Sequence, residues 1–234
     1  MPLPPKIADL IPALGLIPHP EGGFFVETFR SGSAPMSTQG QTDLDCDRPD
    51  VSLVATRGRA GSRPDGDARR QALTSIYWVP TVKSRRLLLA HNHSDHVHYY
   101  QGGRPFRYSL YDPATEEITK VTLGADLQKG QRLQVCVRGG LWKCGILDTS
   151  DGDDEHEYCV IGEAVAPGFD FHDFSWVTKE EVRKHLSAPE DIEHFLEFVN
   201  VDATEIVAAK RTVAEAADFY TEGETTAKRA KLRS

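Results

Sequence analysis

Short apolar segments separated by turn residues fill the middle of the chain, from Ala72 to Phe174. Their Val, Ile, Leu and Tyr residues favour extended backbone, and Gly, Pro and Asp residues stand between them. The eight segments are 73–79, 84–93, 97–100, 106–112, 117–123, 132–137, 141–147 and 157–165. Short strands at this spacing, with no helical pattern between them, predict a closed barrel or a jelly roll.

Helical patterns flank the predicted strands. Apolar residues recur at helical spacing over residues 6–16, and Gly15 marks the end of a short helix. Three later segments begin with a capping residue and carry Glu three positions further on, at 178–181, 187–190 and 202–205. The prediction is therefore a mainly β fold with a short N-terminal helix and a helical C-terminal extension over 177–234, which ends in a polar tail.

Residues 31–71 interrupt the strand pattern. This stretch is rich in Gly, Pro, Ser and charged residues, a composition that buries too little apolar surface to order a chain. We expect a flexible insertion there, so that residues 1–176 form one barrel with a long loop inside its sequence.

Composition and charge narrow the class of protein. The chain has 234 residues, enough for one domain with a sizeable core, and a formal net charge of −8 that would repel nucleic acid. Apolar runs are too short to span a membrane, and the first residues lack the pattern of a secretory signal. Four cysteines without a CxxC pair favour a reducing compartment. The expectation is a cytoplasmic protein that binds neither nucleic acid nor membrane.

The densest chemistry lies in HNHSDHVHYY, at residues 91–100. His91 and His93 are two residues apart, as are His96 and His98, so each pair projects from one face of a strand. Two imidazoles on one face can bind one metal ion. The alternative is a histidine-rich strand that packs and forms hydrogen bonds without a metal. The spacing leaves both interpretations open.

Four further residues are candidates for contacts with a ligand. Glu21 lies in the HPEGG turn, whose glycines allow the turn to approach another segment closely. Gln134 and Trp142 bracket an apolar strand and a Gly-Gly turn, and an indole can stack on a ligand. Asp170 stands among aromatic residues, which can raise the pKa of a carboxyl group. Each residue also has a structural interpretation, as part of a tight turn, of the core or of a strand end.

Several motifs in this order resemble those of one protein family. They are HPEGGFFVETFRS, TSIYWV, the histidine-rich strand, LGADLQKGQRLQ, VRGGLWK and VAPGFDFHDF. HPEGG near the start and PGFDF near the end mark a cupin-like family of unknown function, and the match covers about residues 14–174 apart from the insertion. The resemblance implies a double-stranded β-helix, the cupin jelly roll, with a small-molecule pocket in the barrel and commonly a homodimer.

The ligand pattern of metal-dependent cupins is altered in this chain. Those proteins generally use His-x-His, a following Glu, and a further His behind Pro-x-Gly. Here His91 and His93 match the first pair, and His98 stands about where the Glu is expected. Lys143 lies near the fourth ligand position, and an ammonium cannot coordinate a cation. A barrel without a cofactor is therefore the first hypothesis, with Zn, Fe or Ni as the alternative.

The leading functional hypothesis is a small-molecule-binding cupin that performs metal-independent acid–base chemistry, such as isomerisation, epimerisation or cyclisation. His91, His93 and His98 are the candidate acid or base groups. The candidate substrate contacts are Glu21, Tyr77, Gln134, Trp142, Lys143 and Asp170. One alternative is a metal-dependent oxygenase or hydrolase with the same three histidines as ligands. Another is a non-catalytic storage or ligand-sensing module.

Overall fold

Antiparallel strands make up most of the structure. The computed structural model describes residues 5–19, 21–32, 53–56, 68–149 and 156–200. The strands in these ranges are β1 (Ile17–Pro18), β2 (Phe24–Arg30), β3 (Leu53–Ala55), β4 (Arg69–Gln71), β5 (Thr74–Val79), β6 (Arg86–Asn92), β7 (Asp95–Gly103), β8 (Phe106–Asp112), β9 (Glu117–Leu123), β10 (Gln134–Val137), β11 (Trp142–Leu147), β12 (Cys159–Ala166) and β13 (Phe174–Trp176). The helices are α1 (Ile7–Leu14), α2 (Lys179–His185) and α3 (Pro189–Leu196). Each of the eight predicted segments contains a strand.

Two sheets enclose the main core. Strands β1-β2-β5-β12-β7-β10 form a six-stranded sheet, and β13-β6-β11-β8-β9 form a five-stranded sheet. Buried side chains from both sheets meet in one apolar cluster, which includes Trp78 and Ile161 from the first sheet and Phe106 and Leu110 from the second. The predicted mainly β jelly roll, with a short N-terminal helix and C-terminal helices, is confirmed.

The region predicted as an insertion contributes a small sheet of its own. Strand β3 pairs antiparallel with β4, and Val54 lies opposite Arg70. The remainder of the predicted insertion, residues 33–52 and 57–67, lies outside the described residues. Its flexibility therefore stays a prediction.

Helix α1 covers the outer face of the six-stranded sheet. Its apolar residues, including Ile7 and Leu10, pack around Val79 and Tyr158. Gly15 has a left-handed φ of 65° and ends the helix, as the sequence predicted, because residues with a Cβ rarely adopt that conformation.

Helices α2 and α3 cover the outer face of the five-stranded sheet. Helix α2 starts with a complete capping box between Thr178 and Glu181. Val182 and Phe195 are buried in a second apolar cluster, together with Leu89 and other outward-facing residues of that sheet. The third predicted helical segment, which begins at residue 202, lies outside the described residues.

A bulge in β6 decides which side chains of the histidine-rich segment enter the barrel. Strand β11 pairs Lys143 with Ala90 but Gly145 with Leu87, so β6 carries one extra residue. Leu87 belongs to the core between the sheets. Beyond the bulge, His91 lies opposite Trp142, whose side chain belongs to the outer cluster under α2 and α3. The extra residue therefore places His91 on the outer face.

Candidate functional site

Four ionisable side chains meet inside the barrel. His96 and His98 lie two residues apart on β7 and share a face, and Glu163 of β12 lies opposite His98. Lys143 reaches them from β11 in the other sheet. All four residues are buried. Charged side chains are rarely buried without a partner, so we call these four residues the barrel cluster and treat them as a candidate functional site.

Polar contacts connect the barrel cluster from one sheet to the other. Glu163 Oε1 lies 2.5 Å from His96 Nδ1 and 3.7 Å from Lys143 Nζ. Lys143 Nζ lies 3.4 Å from His98 Nε2. On the far side of that ring, His98 Nδ1 lies 3.2 Å from the hydroxyl oxygen of Tyr108. Each side chain therefore has a polar neighbour in place of water.

These contacts define the protonation states of the cluster near neutral pH. Burial alone would raise the pKa of Glu163, but the Lys143 ammonium and the His96 hydrogen bond hold that pKa well below its usual value. Burial lowers the pKa of His98 to about 3, so this ring is neutral. An ammonium can only donate, so Nε2 of His98 accepts from Lys143 and the ring proton lies on Nδ1. That proton points to the oxygen of Tyr108.

The HPEGG turn is held in a defined position by its neighbours. The backbone N–H of Glu21 donates to Nδ1 of His19 at 3.1 Å, and the N–H of Gly23 donates to Ser84 Oγ at 2.7 Å. Gly23 has a φ of 73°, and a Cβ there would lie 2.6 Å from the carbonyl oxygen of Val79. A side chain does not fit this close approach, so glycine is needed at position 23.

The charges of the barrel cluster affect the pKa values of the two ionisable side chains in this turn, Glu21 and His19. Burial raises the pKa of Glu21 to about 7, an effect that Lys143 reduces and Glu163 increases. Burial lowers the pKa of His19 to about 4, with Glu163 and Lys143 acting in opposite directions. Both residues are only half-buried. The turn therefore presents a carboxyl group that exchanges its proton near pH 7.

Replacing Glu21 with Gln should change the pH dependence of stability. Burial raises the pKa of Glu21 in the folded state from the ordinary value of 4.5 to about 7. Its contribution to the free energy of unfolding is therefore complete below pH 4.5 and is lost as the pH rises through 7. Relative to wild type, Glu21→Gln should gain about 1–3 kcal/mol between pH 4.5 and pH 8. Urea unfolding at both pH values measures this difference.

The control for that measurement is Glu117→Gln, at an exposed carboxylate on β9. This change should have an effect within about 0.5 kcal/mol at both pH values. Equal pH dependence for Glu21→Gln and wild type would contradict the raised pKa of Glu21.

The structure does not bring together the three histidines predicted as acid, base or metal ligands. His98 belongs to the barrel cluster, but His91 is half-buried on the outer face and His93 is exposed. The ring centres of His91 and His93 are 6.0 Å apart. The bulge in β6 separates His91 from His98, and His93 lies in the turn before β7.

The structure divides the predicted ligand contacts into two groups. Lys143 belongs to the barrel cluster, and Glu21 lies in the turn beside it. Trp142 packs in the outer cluster under α2 and α3. Tyr77 packs in the outer cluster under α1, and Gln134 is exposed. The last three residues lie on outer faces because inward and outward positions alternate along each strand.

Asp170 belongs to a separate ionic group. Its Oδ1 accepts the backbone N–H of His172 at 2.9 Å and lies 2.8 Å from Nδ1 of the same residue. Burial alone would raise the pKa of Asp170, but these hydrogen bonds and the charge of Arg70 lower it below its usual value. Of the two interpretations that the sequence left open, the structure agrees with the one in which Asp170 lies at a strand end and accepts a backbone N–H, and not with a raised pKa.

Sequence reasoning missed one member of the barrel cluster, Glu163, and the neighbouring Tyr108, and it paired His96 with His98 but left His96 out of the candidate acid, base or ligand residues. One signal could have identified Glu163, the lone carboxylate within the apolar run VIGEAV of β12. A charge in a strand buried on both faces needs a partner, so its position alone indicates a polar interior. His96 shares the spacing of His98 and could have been found with it.

Three of these side chains have the donor types of a metal site. His96, His98 and Glu163 offer ligand atoms within 4.8 Å of one another, and this group could hold a metal ion. Nε2 of His96 is buried without a hydrogen-bond partner among the described residues. However, Lys143 Nζ lies 3.4 Å from His98 Nε2 and 3.7 Å from Glu163 Oε1. With this ammonium in place, the arrangement does not fit a divalent cation.

A cavity of about 410 Å³ lies outside the barrel, next to α3. Its lining includes Arg107, Lys120, His194 and Phe198, and it shares Tyr108 with the surroundings of the barrel cluster. None of the four cluster residues lines it. This cavity is therefore a different surface from the candidate site.

The facing antiparallel sheets, with ionisable side chains between them, define a cupin barrel. The chain belongs to the cupin superfamily (DUF985), a family of unknown function whose model matches residues 8–177. The resemblance found in the sequence is therefore confirmed. None of the described helices is both long and apolar enough to cross a membrane.

The chain is also similar to one curated protein and to two solved structures. An uncharacterized protein of Saccharomyces cerevisiae is 31% identical over 191 residues, which cover 81% of this chain and 85% of that protein. A hypothetical protein from Leishmania major is 25% identical with a TM-score of 0.58, over 76% of this chain and 91% of the other. A protein from Shewanella oneidensis is 22% identical with a TM-score of 0.59, over 83% and 98%. These likenesses extend over nearly the whole length of each relative.

Proposed function

We propose that this cupin binds a small molecule in its barrel and performs metal-independent acid–base chemistry on it, such as isomerisation, epimerisation or cyclisation. The observation that carries this proposal is the barrel cluster, in which Lys143 and Glu163 are buried with their charged atoms 3.7 Å apart. In the HPEGG turn, burial raises the pKa of Glu21 to about 7, and the charges of Lys143 and Glu163 act on this pKa in opposite directions. A group that titrates near the working pH is the most effective general acid or base. The proposal places Glu21 in that role.

The other groups have complementary roles in this proposal. The Lys143 ammonium would stabilise negative charge that develops on a substrate carbonyl or hydroxyl oxygen. Glu163 would hold Lys143 in position, since their charged atoms lie 3.7 Å apart. Burial raises the pKa of Tyr108 well above its usual value, so its phenol would remain a proton donor. His98 would connect Lys143 and Tyr108 through its two nitrogens.

Proton exchange tests the proposal directly. Protein purified without an affinity tag or chelator is analysed by native mass spectrometry, which reports mass, homodimer formation, metal and any small molecule that remains bound. The released molecule is then incubated with fresh protein in D₂O. We expect deuterium to enter the molecule at a carbon position with wild-type protein and to enter at least about 100-fold more slowly with Glu21→Gln.

The control variant is His91→Gln, which changes a histidine on the outer face and should exchange deuterium at the wild-type rate. Conversion of the molecule to an oxidised or hydrolysed product that EDTA abolishes, together with a stoichiometric metal, would favour a metal-dependent oxygenase or hydrolase instead. A tightly bound molecule that neither exchanges nor changes would favour a storage or ligand-sensing module. Either result would contradict the proposed acid–base function.

A further inference from the structure

The ammonium of Lys143 touches two of the three possible metal ligands. Its Nζ lies 3.4 Å from His98 Nε2 and 3.7 Å from Glu163 Oε1. The residue is buried, and its backbone pairs with Ala90 on one side and Leu110 on the other. The Lys143 side chain therefore enters the cluster from β11, the central strand of the five-stranded sheet.

We propose that Lys143 acts as a built-in cation that takes the place of a metal ion in the barrel cluster, so that its removal creates a divalent-metal site. This inference deepens the metal-independent part of the proposed function and rests on it. It assigns to Lys143 a role that the cluster needs even without a substrate. That role is to balance the buried charge of Glu163.

Charge balance supports this assignment. Glu163 carries one negative charge and Lys143 one positive charge, and both side chains are about nine-tenths buried. A divalent ion added beside Lys143 would leave two uncompensated positive charges in the interior. Like charges about 4 Å apart repel strongly where water is excluded. The ammonium and a metal ion are therefore mutually exclusive.

The two ring nitrogens of His96 differ in their polar contacts. Its Nδ1 lies 2.5 Å from Glu163 Oε1, whereas its Nε2 is buried and has no partner among the described residues. A buried nitrogen that accepts no hydrogen bond is costly unless something else binds it. One ligand atom from each of His96, His98 and Glu163 lies within 4.8 Å of the others, and with Lys143 removed these three atoms would be available to one ion.

Cobalt(II) binding tests the inference, because its visible absorption reports coordination directly. Wild-type protein, Lys143→Ala and Lys143→Arg are titrated with cobalt(II). Lys143→Ala should bind one equivalent at least about 100-fold more tightly than wild type. Lys143→Arg keeps a positive charge and should behave like wild type. The double variant Lys143→Ala/His96→Ala should lose the gained binding.

Two outcomes would overturn the inference. One is a folded Lys143→Ala protein that binds cobalt no better than wild type. The other is wild-type protein that binds one equivalent tightly and loses it in His96→Ala, a result that does not depend on the folding of any Lys143 variant. A Lys143→Ala protein that folds only with cobalt would support the inference.

The cobalt result also separates this inference from the proposed function. Absence of deuterium exchange together with the expected cobalt binding would reject the acid–base function and retain Lys143 as the internal cation. Wild-type protein could instead show deuterium exchange and also bind cobalt tightly through His96. That result would reject Lys143 as the internal cation but would retain the acid–base function.

Discussion

Replacing Arg70 with Met should lower the free energy of unfolding by about 3–5 kcal/mol. The Arg70 guanidinium donates two hydrogen bonds of 2.8 Å to the carboxylate of Asp173. Both side chains are almost fully shielded from solvent, with exposed fractions of 1% and 0%. The substitution removes the guanidinium that neutralises the buried Asp173 carboxylate. Urea unfolding followed by circular dichroism measures the loss.

The matched control is Arg107→Met, because Arg107 lies 3.9 Å from Asp148 with both side chains about half exposed. An exposed pair of this kind contributes at most about 1 kcal/mol. The double variant Arg70→Met/Asp173→Leu should lose less than the sum of its two single variants, since it removes both members of the buried pair. Equal losses for Arg70→Met and Arg107→Met would contradict the importance of the buried pair.

Breaking the ion pair between Lys143 and Glu163 inside the barrel should lower the free energy of unfolding about as much as the loss of Arg70 does. Lys143→Met and Glu163→Gln should each lower the free energy of unfolding by about 3–5 kcal/mol, because each leaves the partner's charge buried. The double variant should be at least about 1 kcal/mol more stable than the sum of the two losses predicts. Denaturation of all four proteins in the same buffer gives this coupling energy.

Lys129→Met is the control for the lysine substitution. Lys129 Nζ lies 3.2 Å from Asp126, but the lysine side chain is 79% exposed, so the loss should stay below about 1 kcal/mol. Strictly additive losses for Lys143→Met and Glu163→Gln would show that these two charges do not stabilise each other. That outcome would also remove the structural support for Lys143 as an internal cation.

Local pattern was sufficient to predict the strand segments and helix boundaries below, whereas the choice of the cupin jelly roll came from the resemblance to a family. The alternation of apolar segments and turns identified all eight strand segments, and Gly15 ended the first helix where its backbone requires a left-handed conformation. The start of α2 followed from the Thr178 and Glu181 capping pattern. These features depend on residues close together in sequence, so a single sequence contains them.

The membership of the site was harder to predict, because it depends on pairing between distant strands. The bulge in β6 places His91 outside, and nothing in the local sequence of that strand indicates an extra residue. Glu163 meets Lys143 and His98 only because β12, β11 and β7 come together in the folded barrel. Lys143 was recognised from its position relative to a motif, whereas Glu163 lies outside the motifs considered.

The contacts of Lys143 with Glu163 and of Tyr108 with His98 are bridges between the two walls of the barrel. A ligand that binds Glu163 or His98 in place of its partner in the other sheet would remove that contact between the two sheets. A ligand inside the barrel would then change how firmly the two sheets are held together, and with it the stiffness of the barrel. Local opening of the strands can be measured as amide hydrogen exchange along β7 and β11. The exchange rate there should therefore differ between the empty and the ligand-bound barrel.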